Sequence, residues 1–207
     1  MKKYYKWLIS LGILLYLCIS VVTYHPDLRA FILAGKFINQ GEVFTFYDHV
    51  SKLPQDNLVK KIYGDDIFIY PPLAYLIPSA FYLPFSGVMA KITDSIIVGD
   101  SVIFRGNLAY FPLLIYKLPF LFFGILTFLY LPKLFAKKEN GQLAQLIWLL
   151  APVTLYVTAV VGQVDVILTF FLLMALIKIK KGSLGWASVF IALSALIKPL
   201  GLALLPL

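Results

Sequence analysis

An aspartate directly after the first apolar segment is the first acidic residue of the chain. Asp27 follows an apolar run that ends at Thr23, and His25 and Arg29 flank it. Its carboxylate could accept hydrogen bonds from the free backbone N–H groups of a helix that starts there. It could also act as a general base on an acceptor group at a membrane surface. Arg29 could pair with the carboxylate, bind a substrate phosphate or remain a solvated charge.

An amide and a second acid open a later apolar segment. The motif Gly162-Gln163-x-Asp165 places a tight turn, an amide and a carboxylate where that segment begins. Asp165 could interact with the dipole of the helix it starts. Because an acid beside lipid is costly, Gln163 and Asp165 could instead line a water-filled cavity. Both interpretations stay open.

Two lysines and a tyrosine complete the set. Lys117 and Lys198 lie in apolar segments, where each could extend to the lipid headgroups or hold a phosphate. Snorkelling is harder for Lys198 because Pro199 breaks the helix beside it. Tyr70 begins Tyr70-Pro71-Pro72-Leu73, which is either a stiff entry to a helix or a wall for a sugar or polyprenyl group.

No cofactor can be assigned from the sequence. It contains no Walker, dinucleotide-binding or Ser-His-Asp pattern. Asp48 and His49 could contribute to a divalent metal site, although two adjacent ligands without a spaced partner are more typical of a solvated loop. A divalent metal therefore stays open.

The elements that position these residues are membrane helices. The chain has 207 residues, 61% apolar and 14% charged, with a mean hydropathy of +0.89. This composition excludes a disordered chain, a nucleic-acid-binding protein and a disulfide-stapled secreted module. Because about 20 apolar residues are needed to cross a bilayer, the pattern predicts an all-α polytopic transmembrane bundle. About five spans are expected, at 7–23, 110–135, 142–158, 162–177 and 183–207.

The distribution of charge predicts the topology. Residues 24–107 contain eight of the ten acids and seven bases, and the rest of the chain carries a net charge of +9. With five spans, all three lysine clusters fall on one side, which the positive-inside rule makes cytoplasmic together with the N-terminus. Residues 24–109 then form a long outer loop with interfacial helices, and the candidate residues lie at the outer level. The clusters are Lys2, Lys3 and Lys6; Lys133, Lys137 and Lys138; and Lys178, Lys180 and Lys181.

Two further features bear on this topology. Residues 70–89 are apolar enough to span, but they contain four prolines, and a crossing there would invert the later lysine clusters. We therefore expect a broken helix in the outer interface. The chain stops at Leu204-Leu205-Pro206-Leu207 in an apolar run, and we expect it to be the front part of a longer protein.

The order of these motifs resembles the GT-C class of integral-membrane glycosyltransferases, which use polyprenyl-phosphate-linked sugars. The resemblance covers most of the chain but only the front of a normally larger fold. It implies that Asp27 is the catalytic base, and that Lys117, Gln163, Asp165 and Lys198 belong to the outer cavity. The motifs are Tyr24-His25-Pro26-Asp27-Leu28, Tyr70-Pro71-Pro72-Leu73-x-Tyr75, Tyr116-Lys117-Leu118-Pro119, Ala151-Pro152, Gly162-Gln163-x-Asp165 and Ser194-x-x-x-Lys198-Pro199.

The expected activity is therefore transfer of a sugar on the outer face of a cell membrane. The donor would be a polyprenyl-phosphate sugar, and the acceptor a lipid, a glycan or a protein. Arg29 and Tyr70 join the substrate-binding candidates. A transporter or a lipid-binding scaffold without chemistry is the alternative, and so is a fragment that is inactive alone. Because transporters place polar residues near the middle of the bilayer, an outer layer of charges favours transfer.

Overall fold

The computed structural model describes residues 2–64, 68–98 and 110–204, and within these ranges the chain is helical without a strand. The prediction of an all-α fold is confirmed for these residues. Residues 65–67 and 99–109 of the predicted outer loop lie outside the described residues, as do residues 205–207 of the predicted fifth span. The helices are α1 Lys2–Val22, α2 Leu28–Asn39, α3 Phe46–Ser51, α4 Leu58–Tyr63, α5 Leu73–Tyr82, α6 Ser86–Val98, α7 Tyr110–Tyr130, α8 Lys138–Leu150, α9 Pro152–Leu155, α10 Asp165–Lys180 and α11 Leu184–Ala195. Short 3-10 segments are Leu83–Phe85, Leu131–Leu134 and Pro199–Leu204, and Tyr156–Val161 is a π-helix.

Three helices in the described ranges are long and apolar enough to cross a membrane, and they indicate a membrane protein. They are Tyr4–Val22, Leu73–Ile97 and Tyr110–Leu134. A fourth span results if Lys138–Leu150 and Pro152–Val161, which meet at an angle of 52°, are counted together. The expected count of about five is not confirmed, because α10 has 16 residues and α11 has 12, fewer than the roughly 20 that a span needs.

The segment expected to be a broken helix is continuous over Leu73–Ile97, and the interruption at its prolines is limited to the 3-10 turn Leu83–Phe85 between α5 and α6. Pro71 and Pro72 precede the first helical residue, and Pro84 stands at the start of the 3-10 turn. Pro71 and Pro72 remove no internal hydrogen bond, because an N–H at the start of a helix has no helical acceptor. Pro84 lies within Leu73–Ile97, at the point where the helix narrows to a 3-10 turn. Only Pro78 lies inside α5. Whether this helix lies in the interface stays a prediction.

Both ends of this helix contact residues close in sequence to the candidate site. At its start, the Leu73 backbone N donates to the Leu196 carbonyl over 3.0 Å. Near its end, the Tyr24 hydroxyl donates to the Ile96 carbonyl over 3.0 Å. Leu196 is two residues before Lys198, and Tyr24 is three residues before Asp27.

Helix α2 connects the segment after α1 to the bundle. Its apolar side is buried against α5 and α6, as the spacing of its apolar residues requires, and Phe31 meets Phe120 of α7 with 5.8 Å between ring centres. Gly35 permits the close approach, because a Cβ there would lie 2.7 Å from the Tyr82 ring. The amphipathic helix α2 therefore holds Asp27, the residue just before it, against the membrane helices.

Polar contacts join the helices of the bundle. The Trp148 indole donates to the Gly124 carbonyl over 3.1 Å, and the Gln145 amide donates to the Phe128 carbonyl over 2.9 Å. Helix α10 packs against α7 and α11, partly through aromatic contacts of Phe123 and Phe171. These contacts fix the helices that carry Lys117 and Asp165.

Candidate functional site

Asp27 occupies the position before the first residue of α2 without capping that helix. Its side chain makes no hydrogen bond to the first turn. Instead, the Gln163 amide donates to Asp27 Oδ2, and Nδ1 of His25 lies 3.3 Å from Oδ1. The Asp27 side chain is 48% exposed. The carboxylate is thus held by Gln163 from a distant segment, lies beside its neighbour His25 and still reaches solvent.

The turn that presents Gln163 requires a glycine. Gly162 ends the π-helix with a φ of +73°, in the left-handed region. A Cβ there would lie 3.1 Å from Leu28 and 3.2 Å from Phe120. The close packing of Gly162 against the start of α2 brings Gln163 within reach of Asp27.

The oxygen of the Gln163 amide makes no hydrogen bond among the described residues. The amide Nε2 donates to Asp27, whereas Oε1 is buried without a hydrogen-bond partner among the described residues. A buried acceptor without a donor costs free energy. The Gln163 side chain is therefore held at Asp27 by its Nε2 alone.

Asp165, Lys198 and Tyr70 form a second group. The Lys198 ammonium donates to both carboxylate oxygens of Asp165, over 2.9 and 2.8 Å. The same ammonium lies 5.0 Å from the centre of the Tyr70 ring, within the range of a cation–π contact. The Lys198 side chain is 22% exposed, so the ion pair is accessible at the protein surface.

The backbone after α11 positions Lys198. The N–H groups of Ile197 and Lys198 both donate to the Ser194 carbonyl, which closes a turn before Pro199. Gly201 then lies directly over Ser194, where a Cβ would be 2.2 Å from the hydroxyl oxygen. The break that Pro199 imposes therefore turns the chain back onto α11.

Tyr70 is fixed from two sides. Its ring stacks on Phe31 with 6.1 Å between centres and 17° between planes, and its carbonyl accepts from the Tyr47 hydroxyl. Burial raises the pKa of Tyr47 to about 12, and Tyr75 adds a smaller effect in the same direction. The Tyr47 hydroxyl therefore stays protonated and able to donate at neutral pH.

Arg29 contacts Tyr24. Its Nε donates to the Tyr24 hydroxyl, and its guanidinium carbon lies 5.1 Å from the centre of the Tyr24 ring. Tyr24 in turn donates to the Ile96 carbonyl. Arg29 thus joins α2 to Tyr24 and the end of α6.

Lys117 is fully buried and lies apart from the exposed groups. Its ammonium donates to the Thr23 carbonyl over 2.6 Å, to the Thr23 hydroxyl over 2.8 Å and to the Ala159 carbonyl over 2.7 Å. These three acceptors match the three N–H donors of an ammonium. Lys117 therefore links the end of α1, α7 and the π-helix.

The contacts of Lys117 also hold the two chain segments that lead to the Asp27–Gln163 pair. Thr23 is four residues before Asp27, and Ala159 is four residues before Gln163. The same ammonium therefore holds both chain segments that lead to the Asp27–Gln163 pair. Substrate binding by Lys117 stays a prediction, and its contacts are those of a structural connection.

The structure thus arranges the seven predicted site residues in four groups. Asp27 pairs with Gln163, while Asp165 and Lys198 meet Tyr70; Arg29 and Lys117 each have separate partners. The sequence reasoning missed Thr23, Tyr24, Phe31 and Tyr47 as partners of these residues. Only Tyr24 carried a signal, as part of the motif that contains Asp27.

The divalent metal that the sequence left open has no candidate ligand cluster in the part of the chain that the structure describes. No three His, Cys, Asp or Glu side chains cluster there in a way that would hold a metal ion. The ring of His49 lies against Phe37, with 4.3 Å between centres.

Comparisons of the chain with protein-family models, with curated proteins and with solved structures find no match.

Proposed function

We propose that this protein is a membrane glycosyltransferase that moves a sugar from a polyprenyl-phosphate-linked donor to a lipid, glycan or protein acceptor on the outer face. One observation carries the proposal. Asp27 stands where a capping acid would stand, yet its carboxylate is left out of the helix, is held by Gln163 and is half exposed.

Asp27 would act as the general base. An acceptor hydroxyl is a weak nucleophile until its proton is removed, and a positioned carboxylate contributes roughly 10²–10⁴-fold to such a step. The acceptor oxygen attacks the anomeric carbon while its proton moves to Asp27. The bond between that carbon and the phosphate oxygen breaks, and the polyprenyl phosphate leaves with the electron pair.

Lys198 and Tyr70 would bind the donor. Lys198 is partly exposed and offers an ammonium to a phosphate once it shares or releases Asp165. Tyr70 presents an aromatic ring beside that ammonium. Arg29, the second residue of the helix that follows Asp27, is a second cation for the phosphate. The outward position of these residues follows from the lysine clusters, and it belongs to the proposal.

The test is donor cleavage by the reconstituted chain. The protein is placed in lipid nanodiscs with polyprenyl-phosphate mannose or polyprenyl-phosphate glucose and a mixture of glycan and lipid acceptors, and release of polyprenyl phosphate is measured. Asp27→Asn should keep the helical content and membrane insertion but lose at least about a hundredfold in rate. Asp56→Asn, an exposed acid of the outer segment, is the matched control and should leave the rate unchanged.

Two results would contradict the proposal. Normal turnover by Asp27→Asn would make Asp27 merely an acid at the start of a helix. Donor binding without any turnover by the parent chain would favour the lipid-binding scaffold.

A further inference from the structure

A cavity of about 230 Å³ lies between α2 and the continuous helix Leu73–Ile97, and none of the seven predicted site residues lines it. This volume would hold on the order of seven water molecules at roughly 30 Å³ each. Tyr82 and Tyr116 line the cavity with their rings nearly perpendicular, 4.9 Å between centres, and Ile32 and Met89 add apolar surface. The cavity is therefore small, with a mixed lining.

Three neutral polar side chains line this cavity without a hydrogen-bond partner among the described residues. They are the amides of Asn39 and Gln40 at the end of α2 and the hydroxyl of Ser86 at the start of α6. Asp94 lies beside them and uses only Oδ1 in its 2.6 Å ion pair with Lys36. The second oxygen of that carboxylate is left to accept from a ligand.

The lining defines the ligand by its chemistry. A free anion would meet the Asp94 carboxylate, and a free cation would meet the Lys36 ammonium. A purely apolar ligand would leave two amides and a hydroxyl without partners, which costs free energy. A molecule with several hydroxyls and an apolar face satisfies all of these groups, because amides both donate and accept and a carboxylate accepts from hydroxyls.

We propose that this cavity binds a neutral carbohydrate unit of monosaccharide size. Hydroxyls of the ligand would pair with Asn39, Gln40, Ser86 and Asp94. Its C–H face would pack on the apolar surface that Ile32, Met89 and the two tyrosines contribute. The proposal does not rest on the transfer reaction, because the lining residues differ from the Asp27 and Lys198 groups and binding requires no donor.

The experiment measures binding of methyl glycosides to the full chain. The protein is kept in nanodiscs or in a detergent without a sugar headgroup, since maltoside detergents would compete. Methyl α-mannopyranoside, methyl α-glucopyranoside, inorganic phosphate and choline are titrated separately and followed by saturation-transfer NMR. Ala90→Phe should block the cavity, because Ala90 lines it on the helical surface of α6. Val88→Phe is the matched control, because Val88 is 76% exposed on the same helix and does not line the cavity.

We expect a methyl glycoside to bind the parent chain, with an affinity at least about tenfold lower in Ala90→Phe and within about twofold of the parent in Val88→Phe. If Ala90→Phe does not insert, Asn39→Leu at the exposed end of α2 serves as the second variant, with the same expected loss. The proposal is overturned if no glycoside binds, if blocking the cavity leaves binding unchanged, or if phosphate or choline binds there in place of the glycoside. Because no donor is present, none of these results bears on the proposed transfer.

Discussion

The Lys198 ammonium has two possible anionic partners, the Asp165 carboxylate and the phosphate of the proposed donor. In the structure it pairs with Asp165, whereas the proposed reaction needs it for a phosphate. Both side chains are partly exposed, and such pairs typically contribute only about 0–1 kcal/mol to stability. The pair can therefore open for a ligand without endangering the fold.

This exchange predicts opposite effects for the two partners. Lys198→Met should raise the donor KM about tenfold, equivalent to about 1.4 kcal/mol of binding. Asp165→Asn should leave the donor KM unchanged or lower it, because it releases the ammonium. Both variants should unfold at nearly the temperature of the parent chain, as measured by circular dichroism in nanodiscs. An equal rise in KM for both would mean that the ion pair acts as one positioning unit.

At the scale of elements, the turn between the π-helix and α10 determines whether Asp27 meets Gln163. Gly162 combines a left-handed backbone with close contacts to Leu28 and Phe120. Gly182 has nearly the same φ, +71°, at the other end of α10, but an added Cβ there would meet nothing within 4 Å. The two glycines separate backbone strain from crowding.

We expect Gly162→Ala to destabilise the protein more than Gly182→Ala. The left-handed backbone should cost both variants about 1–2 kcal/mol, since it disfavours residues with a Cβ. The crowding should add to this cost only at residue 162, and it should also lower the transfer rate by moving Gln163. Thermal unfolding of both variants and the parent measures the difference in stability. Equal losses of stability would show that Leu28 and Phe120 move aside without cost.

The continuous helix Leu73–Ile97 has the length of a span, but its contacts support a position in the outer interface. A crossing helix would place its two ends at opposite surfaces. Here Leu73 and Ile96 bond to Leu196 and Tyr24, which both precede residues assigned to the same outer level.

A depth measurement distinguishes the two orientations. Nitroxide labels at the exposed residues Ala80 and Lys91 are compared by oxygen and nickel accessibility in nanodiscs. If the helix lies along the surface, the two labels should report nearly equal depth. In a crossing helix, eleven residues at 1.5 Å each would separate them by roughly 16 Å in depth, which would contradict the interfacial position.

At the scale of the whole molecule, the lysine clusters predict one orientation in the membrane. After Cys18, which is exposed, has been replaced by serine, single cysteines are introduced at Ser51 and Asn140, both exposed. An impermeant thiol reagent should label residue 51 from outside the cell and residue 140 only after the membrane is opened. Labelling of both from the same side would overturn the topology.

Composition and apolar run lengths were enough to predict a helical membrane protein and the positions of α1 and α7. The positions of the charges along the apolar runs also predicted one outer level for Asp27, Lys117, Gln163, Asp165 and Lys198, and that common level stays a prediction. The sequence could not show that Lys117 turns inward, because its acceptors are a hydroxyl and two carbonyls from distant segments. The sequence reasoning also overestimated how far the prolines of residues 70–89 would interrupt the helix, because Pro71 and Pro72 lie before its first residue.

The buried link of Lys117 also has a consequence for the order in which the protein is made. Thr23 is synthesised before Lys117, whereas Ala159 leaves the ribosome 42 residues after it. An ammonium that enters the bilayer without its acceptors costs about 3 kcal/mol. The nascent α7 therefore gains by staying nearer the surface until the π-helix has been translated. The π-helix thus completes the docking of α1 and α7, and a ribosome that stalls before Ala159 leaves the Lys117 ammonium without one of its three acceptors.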